Sequence, residues 1–299
     1  MIRTNLKKFL SLVSIVLLLC TAQSRASFAT GKNLSGTNLP TAQFDDPYAD
    51  FRSVRYSNAG LLSERDEIKL GTQLHRQVTK KYNLTDVGLD RIEHLGQRCA
   101  RASVRPNILY KFHVVQMKEI NGFSLPGGHI YITSALLKLA NDNELASVLC
   151  HEVGHIAARH SLKTLKKRQE YNDIAKSIGE ITGIAGDIGR ELGEAIGQMA
   201  GEGILTFHSQ DEEREADFLG VRDMTKAGFD AQGMITMFQK LQRIENQSPN
   251  LLGSLFSDHP DVQERIDNTR YEIARMKVRT ARVSGPVTER LRHPQRSGY

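Results

Sequence analysis

The sequence predicts an α+β domain, mostly helical, with one small β-sheet. Three observations lead there. Apolar residues recur at helical spacing behind capping side chains: Ser63 with Asp66 precedes Ile68, Leu74 and Val78, and Asn141 with Glu144 precedes Leu145, Val148 and Leu149. Two runs, 109–117 and 129–133, read instead as strands, with Asn121-Gly122 and Pro126-Gly127-Gly128 punctuating the chain between them. Composition is that of an ordinary globular protein, 39% hydrophobic and 25% charged over 299 residues.

Residues 1–26 read as a secretory signal. Arg3, Lys7 and Lys8 form a basic start, 9–20 is apolar but too short for a comfortable span, and Ser24 and Ala26 suit cleavage. Cys20 stands where a lipid anchor would form, but bulky Leu19 disfavours it. Removing these residues takes away four basic groups and no acid, so net charge falls from +6 to +2. The basicity is a targeting feature and gives no support to nucleic-acid binding.

Residues 27–60, rich in small polar residues with Pro40 and Pro47, read as a flexible leader, and 61–278 as the folded domain, with order beginning at Ser63. A helix is expected over 87–102 from Leu89, Ile92, Leu95 and Cys99. Ser134 can cap a short helix through Ala140, and the helix opened by Asn141 should run to about His160. Segment 171–206 carries Gly179, Gly183, Gly193, Gly197 and Gly201, mostly four apart, a spacing that lets helices approach closely. Glu180, Asp187 and Arg190 interrupt its apolar runs, which favours a helical hairpin or a plug over a cleft against a membrane span. A further helix should begin near Ser209, with acids in its first turn, and end at Gly228. Others are expected at 231–245 and 261–278, with Pro260 at the first helical position, before a basic disordered tail at 279–299. Cys99 and Cys150 read as two buried thiols, although an oxidising compartment would permit a bridge.

The chemistry concentrates in His151-Glu152-Val153-Gly154-His155. Positions four apart on a helix differ by about 40° in azimuth and about 6 Å along the axis. Two imidazoles can therefore reach one zinc ion from the same face, and Glu152 can reach a water beside it. A catalytic site of this kind needs a third ligand. Cys150 points away, and His160, five residues past His155, should face elsewhere in a structural or surface role. Glu213, in Glu213-Arg214-Glu215-Ala216-Asp217, is the better candidate, with Glu212 and Glu215 as rivals. Asp217 shares its face and could fix the tautomer of a ligand histidine.

Four ordered blocks then carry a resemblance. Asn121 to Thr133 resembles N-A-x-x-x-P-G-G-x-I-x-V-T, with Gly122 where alanine is usual. Glu144-Leu145-Ala146 through His155 resembles E-L-A-x-V-L-x-H-E-x-x-H. Glu213 to Asp217 resembles E-x-x-A-D, and His259-Pro260 with Arg265-Ile266 resembles H-P-x-x-x-R-I. Over roughly 60–275 the chain is similar to the gluzincin metallopeptidases that include the CAAX prenyl-protein endopeptidases and HtpX, and most to their soluble periplasmic branch.

The resemblance implies a zincin-like domain whose sheet edge borders the active-site cleft. It implies one zinc per chain held by His151, His155 and Glu213, with Glu152 as general base. It favours His259 near the metal, either as a latch on the open position or as an oxyanion donor; simple capping of the next helix is the plain alternative. The strand at 129–133 is expected at the sheet edge, with Gly128, His129, Ile130 and Tyr131 holding an extended polypeptide by backbone pairing. The implied activity is hydrolysis of unfolded or misassembled envelope proteins in the periplasm. A zinc-containing assembly factor with little turnover is the alternative. Outer-membrane assembly machinery and peripheral membrane contact are the other expected partners.

Overall fold

A computed structural model describes residues 46–54, 56, 62–167, 208–252 and 262–283. The expected signal segment 1–26, the Gly-rich segment 171–206 and His259 lie outside them. No described helix is long and apolar enough to cross a membrane.

Helix α1 (Glu64–Lys81) begins where the Ser63 hydroxyl accepts the Asp66 amide hydrogen. Strand β1 (Leu84–Thr85) and helix α2 (Leu89–Ala102) follow. Three strands complete the sheet: β2 (Lys111–Val115), β3 (Gly122–Leu125) and β4 (His129–Thr133). Their order is β1-β2-β4-β3, with β2 and β4 parallel and the outer pairs antiparallel.

This order corrects the expectation for 129–133. Strand β4 is central, so its backbone groups are engaged on both sides, by β2 and by β3. The edges are β1 and β3, and β3 is hidden in the sequence inside a link dense in turn residues. His129-Ile130-Tyr131-Ile132-Thr133 is buried throughout, which is how a central strand reads.

Alternation divides the sheet into two faces. Phe112, Val114, Ile130 and Ile132 join the main core with α2 and the next long helix. Val115, Leu125 and Tyr131 pack instead beneath Leu74 and Val78 of α1.

Helix α3 (Ser134–Leu139) is capped by Thr133, one residue before the expected Ser134. Helix α4 (Asp142–Ala158) opens with a reciprocal capping box between Asn141 and Glu144, and every residue from Glu144 to Ala158 is buried. Helix α5 (Gln210–Lys226) opens with a second box, Ser209 with Glu212. Helices α6 (Gln232–Gln247) and α7 (Val262–Val283) pack behind them.

Two glycines set the distance between α4 and α5. A Cβ on Gly154 would stand 3.1 Å from the Ala216 carbonyl oxygen, and one on Gly220 would stand 3.3 Å from the His151 amide nitrogen. The helices therefore meet nearly backbone to backbone, which lets short acidic side chains on α5 reach histidines on α4.

Three further expectations change. Residues 46–54 are part of the fold and not a leader: Tyr48 is fully buried, its ring 5.2 Å from that of Phe218, and Arg52 donates to Glu272 at 3.0 Å. Helix α7 continues through 279–283, into the span read as a tail. Cys99 and Cys150 are disulfide-bonded, with Cα atoms 5.0 Å apart. They sit on α2 and α4, so only the packing of those helices could bring them together. Closing a loop of 51 residues contributes about 4 kcal/mol on the chain-entropy account.

Candidate active site

Helix α4 presents His151 and His155 one turn apart, with their Nε2 atoms 2.9 Å from each other. Glu213, in the first turn of α5, places Oε2 3.4 Å from His151 Nε2 and Oε1 3.3 Å from His155 Nε2. All three residues are buried, with ligand atoms within 4.8 Å of one another. Two imidazoles and a carboxylate, leaving one position open, are a donor set suited to zinc.

The rival acids are occupied elsewhere. Glu212 Oε2 accepts the Ser209 amide hydrogen at 2.8 Å, and Glu215 Oε2 lies 3.0 Å from His160 Nε2.

Asp217, one turn beyond Glu213, places Oδ1 2.9 Å from His151 Nδ1. Arg265 from α7 grips the same carboxylate with both arms of its fork, Nε to Oδ2 at 2.8 Å and Nη2 to Oδ1 at 2.7 Å. Burial pushes the Asp217 carboxyl up, but Arg265 and His151 outweigh it and keep it below its ordinary value. Burial also disfavours charge on His151, and here Asp217 and Glu213 prevail, raising that imidazole to about 10.

His155 has a longer support. Its Nδ1 lies 2.8 Å from His160 Nδ1, whose other nitrogen meets Glu215, and Lys163 Nζ is 3.4 Å from that same Glu215 oxygen. With the His155 Nε2 lone pair kept for a metal that His151 and Glu213 would share, Nδ1–H donates to His160, and Nε2–H of His160 donates to Glu215. Each nitrogen then has one consistent role.

The expectation that His160 faces elsewhere assumed a continuous helix. The helix ends at Ala158, Arg159 takes a left-handed conformation at φ 60°, and helix resumes over 160–167. The break swings His160 back over His155. Arg159 is held there by Glu67 of α1, which accepts from its Nε at 2.8 Å. His160 is therefore fully buried. His208, just before α5, stacks on His155 with ring centroids 3.9 Å apart. Sequence reasoning assigned no role to His208 or Arg265; the only prior signal for Arg265 was its place in the last motif.

Glu152 is 1% exposed. Burial pushes its carboxyl up to about 7, against the neighbouring His151 and the Ser124 hydroxyl of β3, which favour the ionised form. Its Oε1 has no hydrogen-bond partner among the described residues, which leaves an acceptor for water.

The profile of Peptidase family M48 matches residues 89–273. The chain belongs to this family. Within the M48 peptidases it is 30% identical over 199 residues to the beta-barrel assembly-enhancing protease of Yersinia pestis, covering 62% of this chain and 39% of that protein. It is 30% identical over 163 residues to metalloprotease YcaL of Escherichia coli, 54% of this chain and 62% of the relative. It is 32% identical over 174 residues to the mitochondrial metalloendopeptidase OMA1 of Saccharomyces cerevisiae, 56% and 48% respectively. The chain thus spans less than two thirds of the length of each relative.

Of the residues expected to hold substrate, none lies on the sheet edge. Ile130 is in the main core, and His129 and Tyr131 face α1. The M48 domain instead brings β3 to Glu152, through Ser124.

Proposed function

We propose that this chain is a zinc-dependent endopeptidase that cleaves unfolded or misassembled polypeptides of the cell envelope, in the soluble periplasmic branch of its family. The observation that carries the reading is the convergence of His151, His155 and Glu213 beside buried Glu152. A zinc ion on that set supplies Lewis acidity for the scissile carbonyl and acidifies a water.

The protein's own groups do the remaining work. Asp217 and the His160–Glu215 pair orient the two ligand imidazoles and hold their tautomers. Glu152 accepts the proton of the attacking water and returns it to the leaving amine. A carboxyl raised to about 7 by burial can do both near neutral pH. Among the described residues β3 has a partner strand on one side only, and its other edge can pair with an extended substrate backbone, which selects for unfolded chain over any one side-chain sequence.

The periplasmic assignment rests on the Cys99–Cys150 disulfide, on the N-terminal signal pattern and on relatives named for β-barrel assembly. His259 stays in the proposal as a latch or an oxyanion donor. His259→Ala separates the two: higher basal proteolysis supports the latch, and a loss of roughly a hundredfold supports the donor.

The deciding experiment is Glu152→Gln. The amide keeps the shape but cannot take the proton, so zinc content should persist while casein turnover falls by roughly 10²–10⁴-fold. Substantial cleavage by the variant at neutral pH would rule the assignment out.

A further inference from the structure

A second group of imidazoles lies on the other side of the sheet. His113 on β2 and His129 on β4 face each other, Nε2 to Nδ1, at 3.0 Å. His75 of α1 lies flat over both, with ring centroids 4.7 and 4.5 Å away. One nitrogen from each ring falls within 4.8 Å of the others. The spacing of the His113–His129 pair nearly matches the 2.9 Å between the two active-site histidines.

Parallel pairing of β2 with β4 sets this up. In that register Lys111 stands opposite His129 and His113 opposite Tyr131, so both imidazoles emerge on one face, beneath α1. Histidine is an odd choice for a layer otherwise filled by Leu74, Val78, Val115, Leu125 and Tyr131. Burial, the neighbouring imidazoles and Lys111 hold His113 at about 4 and His129 at about 3, so both rings are neutral near pH 7. A buried pair of neutral rings can satisfy one nitrogen by hydrogen-bonding the other, or both by lone-pair donation to a cation.

We propose that His75, His113 and His129 form a second metal site, for a late divalent transition ion such as zinc, nickel or copper. Three imidazoles without a carboxylate or thiolate select that class over calcium or magnesium, which need oxygen ligands. The Tyr131 hydroxyl lies 2.7 Å from His75 Nδ1 and can accept its hydrogen, leaving Nε2 as the donor atom. His75 must tilt out of its stack to aim that lone pair at the ion. His75 is half-buried on α1. The ion would clip α1 to the two central strands. With no carboxylate in the set and Glu152 on the far side of the sheet, the site has no base and is structural or regulatory.

The test is metal stoichiometry on the full, untagged chain, stripped by chelation and titrated with Co2+, read by calorimetry and d–d absorption. Wild type should take up about two ions, and His75→Gln about one. His151→Ala should also take up about one, with the spectrum of an all-nitrogen site. His113→Ala serves as the second ablation, with far-UV circular dichroism to confirm folding; His75→Gln decides if it unfolds. Uptake of a single ion by wild type, lost in His151→Ala and kept in His75→Gln, would overturn the proposal. So would two ions retained in both histidine-cluster variants. A His151→Ala variant that still binds two would count against the active-site assignment instead.

Discussion

The sheet separates two groups of three potential ligands whose nitrogen atoms are almost equally spaced. They differ in what stands behind the imidazoles. His151 is backed by Asp217, which Arg265 keeps ionised, and His155 is backed through His160 by Glu215. The second group has a tyrosine hydroxyl and, among the described residues, no acid in its ligand set. Beside Asp217 and Glu213, His151 is pushed up to about 10, whereas burial holds His155 at about 3, as it holds His113 and His129 at about 4 and 3. Spacing is enough to make a metal possible. The surrounding charge decides how tightly it is held and whether a neighbour can do chemistry.

The most drastic way to erase the difference is to neutralise the active-site carboxylate. Glu213→Gln should leave a nearly neutral donor set like the one across the sheet, and zinc at His151 and His155 should be lost on dialysis. Measured metal content settles this, with His75→Gln as background so that only one site is counted. Full retention would mean that Glu213 is not the third ligand.

Removing the support behind Asp217 should cost stability as well. Arg265 is buried, and breaking a buried pair typically costs about 3–5 kcal/mol because the remaining charge is left uncompensated. Arg265→Ala should lower the unfolding free energy, measured by denaturant titration, by that amount and weaken zinc binding with it. Lysine should rescue poorly, since it cannot grip both carboxylate oxygens.

Cutting the longer support should have a smaller effect. His160→Ala leaves the ligands in place but frees the His155 ring, so zinc affinity should fall roughly 10- to 100-fold with little change in fold. Competition with a chromophoric chelator would measure it. An unchanged affinity would show that His160 merely fills space.

The smallest effect concerns an acid on α5 without the partner that Asp217 has. Burial pushes Asp223 up to about 7, with Lys226 and Arg222 only partly opposing. Between its ordinary 3.8 and about 7 the folded protein binds more protons than the unfolded chain, so this group destabilises the fold as pH rises through that window. Asp223→Asn removes the penalty. Its melting temperature should exceed that of wild type at pH 8, and the gap should shrink or reverse at pH 5. A gap independent of pH would show that Asp223 is not held up.

Much of this arrangement was legible in the sequence because it is local. The spacing of His151 and His155, the caps at Ser63 and Asn141, and the helical stripes all depend on residues within a turn or two. Glu213 was singled out by its motif but shared candidacy with Glu212 and Glu215. Their separation needed α5 to be seen against α4, where Gly154 and Gly220 set the approach. The direction of His160, though not its structural role, was misjudged because one left-handed residue, Arg159, redirects the chain, and nothing local to an arginine announces that conformation. It is imposed by Glu67, 92 residues away in sequence. The edge strand was misplaced for a related reason: strand order depends on which neighbours pair, and the chain runs from β2 out to β3 before β4 returns to lie between them. The sequence by itself determined most of the helices and the placing of His151, Glu152 and His155 together on one of them, since those follow from periodicity and spacing. Only the tertiary structure decided the Cys99–Cys150 bond, the acids behind each histidine and the meeting of His75, His113 and His129, because each joins elements whose contact no local rule specifies.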